Sequence, residues 1–419
     1  MSEKLIRMAV IGTGGRGTGH VGTLASMPDV EVTAVCDLYE DKAINAASVA
    51  EKAQGKRPNY YLDYKKVLER ADVDAILIAT SWTTHIHIAI DAMKAGKYVS
   101  CEVGGAASLD ECWELVKTSE ETGIPCMLLE NCSYGREEMA LLNMVKKGMF
   151  GEMIHCQCGY EHDLREEITK GAELRHYRLN NYRNRNGDIY PTHGLGPMAK
   201  ILNVNRGNRM ITLTAMASKS RGLKEWAKAN LGVDHPSSNY DYTQGDVVNT
   251  MIKCAHGETI LITHDTSLPR PYSRGGRVQG TKGIWMEDNQ SIYLDGKSPT
   301  HTWEPSENYF KNFDHPLWKE YRTEGIKGGH GGMDWLVLRA FVECVADKTE
   351  PPIDVYDMAT LMAITVLSEQ SIQLGGQPML IPDFTNGRWL DYSMSQGKGK
   401  YALDCVDEKA FKDCYLTNE

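Results

Sequence analysis

Arg7-Met8-Ala9-Val10-Ile11-Gly12-Thr13-Gly14-Gly15-Arg16-Gly17 is the stretch on which the fold turns. A short apolar run ends in glycines at positions 12, 14 and 17, the G-x-G-x-x-G spacing of a strand, a tight turn and a helix. Gly12 permits the sharp turn, Gly14 lets backbone approach a pyrophosphate, and Gly17 lets the helix lie close to the strand. The helix N-terminus adds unpaired N–H donors and a partial positive charge for the phosphates. An ordinary glycine turn in an α/β protein shares this spacing. What favours the nucleotide site is a second strand-like run, Val30-Glu31-Val32-Thr33-Ala34-Val35-Cys36, which ends in Asp37. An acid about 20 residues past the glycines holds a ribose hydroxyl. It also repels a 2′-phosphate, so NAD is expected rather than NADP. Asp37→Ala should then weaken NAD binding with little effect on the fold.

Outward from this stretch, strands and helices alternate as far as Glu130, the pattern of a doubly wound parallel sheet. Asp74-Ala75-Ile76-Leu77-Ile78-Ala79-Thr80 reads as a buried parallel strand opening into a loop, Ser81-Trp82-Thr83-Thr84-His85. Ligands bind outside the carboxyl ends of such strands, so this loop should border the cofactor. The strand Tyr98–Cys101 ends at Glu102-Val103, and Met127-Leu128-Leu129 ends at Glu130-Asn131. Between them, Ser108-Leu109-Asp110-Glu111 is a capping box, and its helix should stop at Gly123.

Beyond residue 130 the texture changes. Alternating segments at 153–160, 210–218, 247–254, 259–265 and 277–287 predict an open, largely antiparallel sheet in an α+β second domain. Long polar loops are expected over 164–186, 221–245 and 288–332. Residues 355–374 carry no proline or glycine and read as one helix. The expected domains are 1–130 for the nucleotide, 131–354 for substrate and oligomerisation, and 355–419 as a helix and tail packing back on the first.

The chain has 419 residues, enough for two cored domains, and a formal charge of −10 that disfavours nucleic acid or an anionic membrane as partner. No apolar run approaches membrane-spanning length and no signal peptide is visible, so a cytoplasmic location is expected. Eleven cysteines without C-x-x-C pairs suggest free thiols in a reducing compartment. Cys156-Gln157-Cys158 puts two thiols on one strand face, as packing. His85, His87 and Glu102 lie on the nucleotide edge without further close ligands, so no metal is expected.

Taken together, the glycine fingerprint, Asp37, Thr84-His85, Ala95-Gly96-Lys97, Glu102 and the late helix resemble the Gfo/Idh/MocA oxidoreductase family. The resemblance implies an N-terminal Rossmann domain, bound NAD, and commonly a homo-oligomer paired through the open sheet. The family's Glu-Lys-Pro is here Glu102-Val103-Gly104, so the lysine that assists hydride transfer is missing. Four stretches are similar to the NAD-dependent glycosidases of family 109. They are Glu130-Asn131, Cys158-Gly159-Tyr160-Glu161-His162-Asp163, Asn186-Gly187-Asp188-Ile189-Tyr190-Pro191-Thr192-His193-Gly194-Leu195-Gly196-Pro197, and Gly328-Gly329-His330-Gly331-Gly332-Met333-Asp334.

Carried over by position, the resemblance implies that Gly12, Gly14, Arg16, Gly17 and Asp37 hold the adenosine and pyrophosphate side of NAD. Trp82, Thr83, Thr84, His85, Glu102, Val103 and Asn131 line the nicotinamide side. Tyr190, Pro191, Thr192 and His193 border both ligands, and Tyr160, Arg178, Tyr190 and Tyr272 touch the sugar. Arg183 is an alternative to Arg178.

The activity it implies is removal of a terminal N-acetylhexosamine, such as α-GalNAc, from a small glycoside or glycan. The route is a transient oxidation at C3, loss of the C2 proton, elimination of the C1 group, addition of water and re-reduction. Such a route needs groups of intermediate pKa rather than a carboxylate pair. His193 and Tyr190, three apart, are the expected proton-transfer groups, with Tyr160 next. His330 is either a loop residue reaching the sugar or part of a glycine hinge. A conventional NAD-dependent sugar or polyol dehydrogenase and an idle NAD-binding sensor are the rival readings.

Overall fold

The protein is described by a computed structural model that places residues 5–391, 397 and 399–403. Its first sheet holds β1 (Ile6–Ile11), β2 (Val30–Cys36), β3 (Asn59–Tyr61), β4 (Ala75–Ile78), β5 (Tyr98–Cys101) and β6 (Cys126–Leu128). All pair in parallel, in the order β3-β2-β1-β4-β5-β6. Strand order reverses between β1 and β4, which opens a crevice at the carboxyl edge. Because every strand runs the same way, Gly12, Asp37, Thr80, Glu102 and Glu130 emerge along that one edge. The strands are buried on both faces: β4 is apolar throughout and wholly buried.

The second sheet holds β7 (Met153–Glu161), β8 (Met210–Ala217), β9 (Val247–Cys254), β10 (Thr259–Asp265), β11 (Arg277–Gly280), β12 (Gly283–Met286), β13 (Ser291–Leu294), β14 (Glu304–Pro305) and β15 (Met379–Leu380). Their order is β14-β13-β12-β11-β7-β10-β9-β8-β15, with only β7 and β10 parallel. Period two is plain in β9, where Val248, Thr250, Ile252 and Cys254 are buried while Asn249, Met251 and Lys253 are exposed. The helix Val355–Gln373 joins the two layers, packing on the helix Leu109–Thr122, on β6 and on β8. It is buried nearly all round, which explains its lack of an apolar stripe.

Three expectations are corrected. The segment 277–287 is a hairpin, not one strand: Gly280 and Gly283 flank the turn at Thr281-Lys282. A side chain on Gly280 would overlap the Phe150 carbonyl, so only glycine fits where the strand enters the turn. Trp82 to His85 form the first turn of the helix Trp82–Lys94, not a loop. The long polar stretches carry short helices, Arg178–Asn184, Gly222–Asn230 and Pro316–Glu324 among them, too brief for a periodic signal. The capping box at Ser108 and Glu111 forms, and Gly123 ends that helix in the left-handed region. The nine described cysteines are free and buried, Cys156 and Cys158 among them.

Candidate active site

The glycine turn has the shape a dinucleotide needs. Gly12 sits at φ +90°, and a Cβ there would overlap the Ala79 backbone. One on Gly17 would overlap the Gly12 carbonyl oxygen. At Gly14 nothing lies within 4 Å, so backbone is open to a ligand on that side. The helix Gly15–Ala25 has no side-chain cap and no acid in its first turn. Its N–H donors and positive end are therefore unspent, which fits a pyrophosphate. Asp37 accepts from the Thr13 amide at 2.8 Å and the Tyr39 amide at 3.0 Å. It braces the turn at the end of β2, where the ribose is expected, so its removal touches the fold too.

Beside the turn lies a network of charges. Arg16 donates through Nε to Glu102 at 2.8 Å and through Nη1 to Asp334 at 2.6 Å. His20 meets Glu102 at 2.5 Å, and Asn131 donates to the other Asp334 oxygen at 2.7 Å. His330, half-exposed, meets Asp334 at 2.8 Å and Arg16 at 3.1 Å. Burial alone would raise Glu102, but Arg16 and His20 hold it well below the usual carboxylate range. For Asp334 burial is likewise overcome, by His330 and Arg16.

Across the carboxyl edge stands an aromatic cluster. Trp82 stacks on Tyr190 with ring centroids 5.1 Å apart and meets Tyr177 edge-on at 5.0 Å. Tyr160 packs on Tyr190 at 4.5 Å and on His193 at 5.7 Å. The buried Arg178 guanidinium lies 5.0 Å from both the Trp82 and Tyr190 rings, at cation–π distance. Glu167 approaches Arg178 Nε at 2.7 Å without hydrogen-bond alignment, and Nη1 has no partner. Tyr190 Oη meets His193 Nε2 at 3.3 Å, and His193 Nδ1 meets Glu130 Oε1 at 2.9 Å. This is a line from phenol to imidazole to carboxylate. Burial opposes the imidazolium, yet the neighbouring Cys132, Glu130 and Tyr190 raise His193 well above its ordinary value. Burial also pushes up the Cys132 thiol, so Glu130 is the charge that favours the imidazolium.

The motif's glycines make this line possible. A side chain on Gly194 would strike the Gly159 backbone of β7, and one on Gly196 would strike Glu130. The helix Thr192–Ile201 thus sits against both and brings His193 to Glu130. Similarly, a Cβ at Gly104 would lie 2.5 Å from Trp82, so Trp82 occupies space beside the strand end where the related motif has Lys-Pro.

Most sequence-predicted residues converge here: Arg16, Glu102 and Asn131 on one side, Trp82, Tyr160, Arg178, Tyr190 and His193 on the other. Val103 is buried beside Glu102. Pro191 caps the helix that carries His193, and the buried Thr192 hydroxyl has no partner. Tyr272, half-exposed, reaches the cluster through His162 and Tyr160. Others stand apart. Thr83 is exposed, and the Thr84 hydroxyl is spent on Thr80 and Ser81. His85 turns back to the Thr80 carbonyl at 3.0 Å, and burial drops it to about 4. Arg183 is exposed and stacks on Tyr240 at 4.1 Å, away from the rings around Arg178.

Sequence reading passed over Glu130, Cys132, Tyr177 and Asp334. Glu130 and Asp334 stood inside quoted motifs but had no partner until the fold supplied one. Donor atoms of Glu130, Cys132 and His193 lie within 4.8 Å of one another, close enough for a metal. The hydrogen bond between His193 and Glu130 already accounts for that proximity.

Residues 6–129 match the oxidoreductase family with an NAD-binding Rossmann fold, and residues 134–391 match the glycosyl hydrolase 109 C-terminal domain. An α-N-acetylgalactosaminidase of Tannerella forsythia is 41% identical over 412 residues, covering 93% of this chain and 88% of its own. A glycosyl hydrolase family 109 protein of Stenotrophomonas maltophilia is 45% identical over 423 residues, covering 95% and 92%. The fold is shared with an NAD-binding oxidoreductase from Klebsiella pneumoniae at 15% identity and a TM-score of 0.69, over 90% of this chain and 99% of that one. With both segments matched and 45% identity along nearly its whole length, the chain belongs to glycosyl hydrolase family 109.

Proposed function

We propose that this glycosidase carries bound NAD and removes a terminal N-acetylhexosamine, such as α-GalNAc, by transient oxidation. The observation that carries the reading is the meeting of two structures at one sheet edge. A turn shaped for a dinucleotide adjoins a buried tyrosine–histidine–glutamate line, with the buried Arg178 guanidinium beside it carrying N–H donors that make no hydrogen bond. NAD, when bound, supplies a hydride acceptor for sugar C3 and later the hydride that restores it.

The chain's own residues do the rest. Gly14 and the helix N-terminus take the pyrophosphate, and Asp37 takes a ribose hydroxyl. Trp82, Glu102 and Asn131 flank the nicotinamide. The His193 imidazolium, favoured by Glu130, draws the Tyr190 phenol towards its ionised form, in which Tyr190 takes the C3 hydroxyl proton. Once C3 is a ketone, the C2 proton is acidic enough for a side-chain base drawn from His193, Tyr190 and Tyr160. Elimination then expels the C1 group, and water adds across the double bond. Arg178 and the rings of Tyr160 and Tyr272 hold the sugar, with the guanidinium offering N–H donors to its oxygens. The outer face of the second sheet, where Met251 is exposed, pairs with a second copy of the chain. Light scattering of the purified protein checks that pairing.

The test of function is p-nitrophenyl α-N-acetylgalactosaminide given without added cofactor. Nitrophenol should appear with no lasting NADH absorbance, and the released sugar should carry deuterium at C2 when the solvent is heavy water. Steady NADH accumulation with a free sugar would make the protein a dehydrogenase instead.

A further inference from the structure

The run Gly328-Gly329-His330-Gly331-Gly332-Met333-Asp334 has no task in the chemistry above, yet it ends on a residue placed against the nucleotide turn. Asp334 opens the helix Met333–Asp347, where a negative charge is favoured by the helix dipole. Its two carboxyl oxygens are divided between two groups assigned to the nucleotide edge: Oδ2 takes Arg16 Nη1 at 2.6 Å, and Oδ1 takes Asn131 at 2.7 Å. Arg16 is gripped from the other side by Glu102 at 2.8 Å. Among the described residues Arg16 Nη2 has no hydrogen bond, so one donor edge of a doubly fixed guanidinium stays free for an anionic oxygen. Arg16 is also the second residue of the helix whose N-terminus meets the phosphates.

We propose that Asp334 is a positioning residue that holds Arg16 and Asn131 for the dinucleotide and so slows its release. The idea rests on the NAD reading above and deepens it. A cycle that removes a hydride and later returns it fails if the reduced nucleotide leaves midway. A clamp from a residue 318 positions away in sequence ties retention to the docking of the second domain on the first. The same helix carries a second tie, Arg339 to Asp29 at 2.5 Å, which touches neither Arg16 nor Asn131. That pair separates clamping from mere docking.

The experiment measures the dissociation rate of NAD from the full chain by dilution into an NAD scavenger, and NAD content after gel filtration. Asp334→Asn should speed release roughly 10- to 100-fold, the range for losing a hydrogen bond to a charged group. Gly329→Ala gives the same answer without changing any charge. Gly329 has an ordinary extended backbone, and an added Cβ would lie 2.7 Å from Asp334 Oδ2, displacing it. This second variant also stands in if Asp334→Asn folds poorly. Arg339→Met should leave the release rate near the wild-type value. Wild-type retention in both Asp334→Asn and Gly329→Ala overturns the proposal while leaving the NAD reading intact. Equal acceleration by Arg339→Met overturns it in favour of simple docking. A wild-type chain that binds no NAD removes the reading itself, and the clamp with it.

Discussion

Two regions face each other across the carboxyl edge of the parallel sheet, and they are built on opposite principles. Around Arg16, ions are paired: Glu102, Asp334, His20, His330 and Asn131 share one network. Around Arg178, a cation lies buried among rings, and several polar atoms have no partner. Arg178 Nη1, Trp82 Nε1 and Glu130 Oε2 are all buried and unpaired. An unpaired buried polar atom costs free energy unless a ligand completes it. The paired region suits a grip that persists through many turnovers. The unpaired region suits a guest that comes and goes.

The largest expected effect breaks the second region at its proton line. His193→Ala should lower kcat by roughly 10²- to 10⁴-fold, the worth of one positioned acid or base. It should keep NAD and lose deuterium exchange at C2. Retained exchange would move the base to Tyr190 or Tyr160.

Behind that line, Asp188 sharpens the contrast. Its carboxyl is buried with no cation beside it and only the Tyr190 amide nearby, and burial lifts it to about 7, offset only in part by that amide. The folded value lies above the unfolded one of about 3.9. Its contribution to stability is therefore complete below about pH 4 and is lost as pH rises to about 7. Asp188→Asn should then gain stability over wild type as pH rises, reaching roughly 1–4 kcal/mol at pH 8, by denaturant titration at pH 4 and pH 8. A gain independent of pH would mean that the carboxyl finds a partner.

Arg178→Met tests whether the unused N–H donors of the guanidinium wait for the sugar. It should reduce kcat/KM roughly 10- to 100-fold. NAD affinity should not change, because Arg178 belongs to the unpaired region. A fall in NAD affinity would merge the two regions into one.

The smallest effect is at Asp37. Asp37→Ala should weaken NAD binding and also lower stability by about 1 kcal/mol, since the Thr13 and Tyr39 amides lose their acceptor. Unchanged affinity would leave Asp37 as a brace for the turn alone.

Much of this was legible in the residues. The nucleotide fold was written in local rules: glycine spacing, apolar strands, and caps such as Ser108 with Glu111. Tyr190 and His193 were readable as partners from their spacing of three, although the helix starts only at Thr192 and Tyr190 precedes its N-cap Pro191, so the two do not share a helical turn. The hairpin within 277–287 and the helix beginning at Trp82 were misread, since periodicity over four or five residues does not distinguish a turn from a strand or a loop. Arg178 and Arg183 could not be told apart either. They sit on one short helix, and only packing buries the first among rings and leaves the second on Tyr240.

The sequence by itself determined the layers, the nucleotide-binding fold and the motif that carries His193, because each follows from contacts between near neighbours in the chain. Tertiary structure alone decided what Glu130 and Asp334 do. A carboxylate next to a motif is mute until a cation arrives. Here the cations are His193, 63 positions away from Glu130, and Arg16, 318 away from Asp334. Pairing over such separations depends on how the helices 192–201 and 333–347 dock against the parallel sheet, and no local rule encodes that.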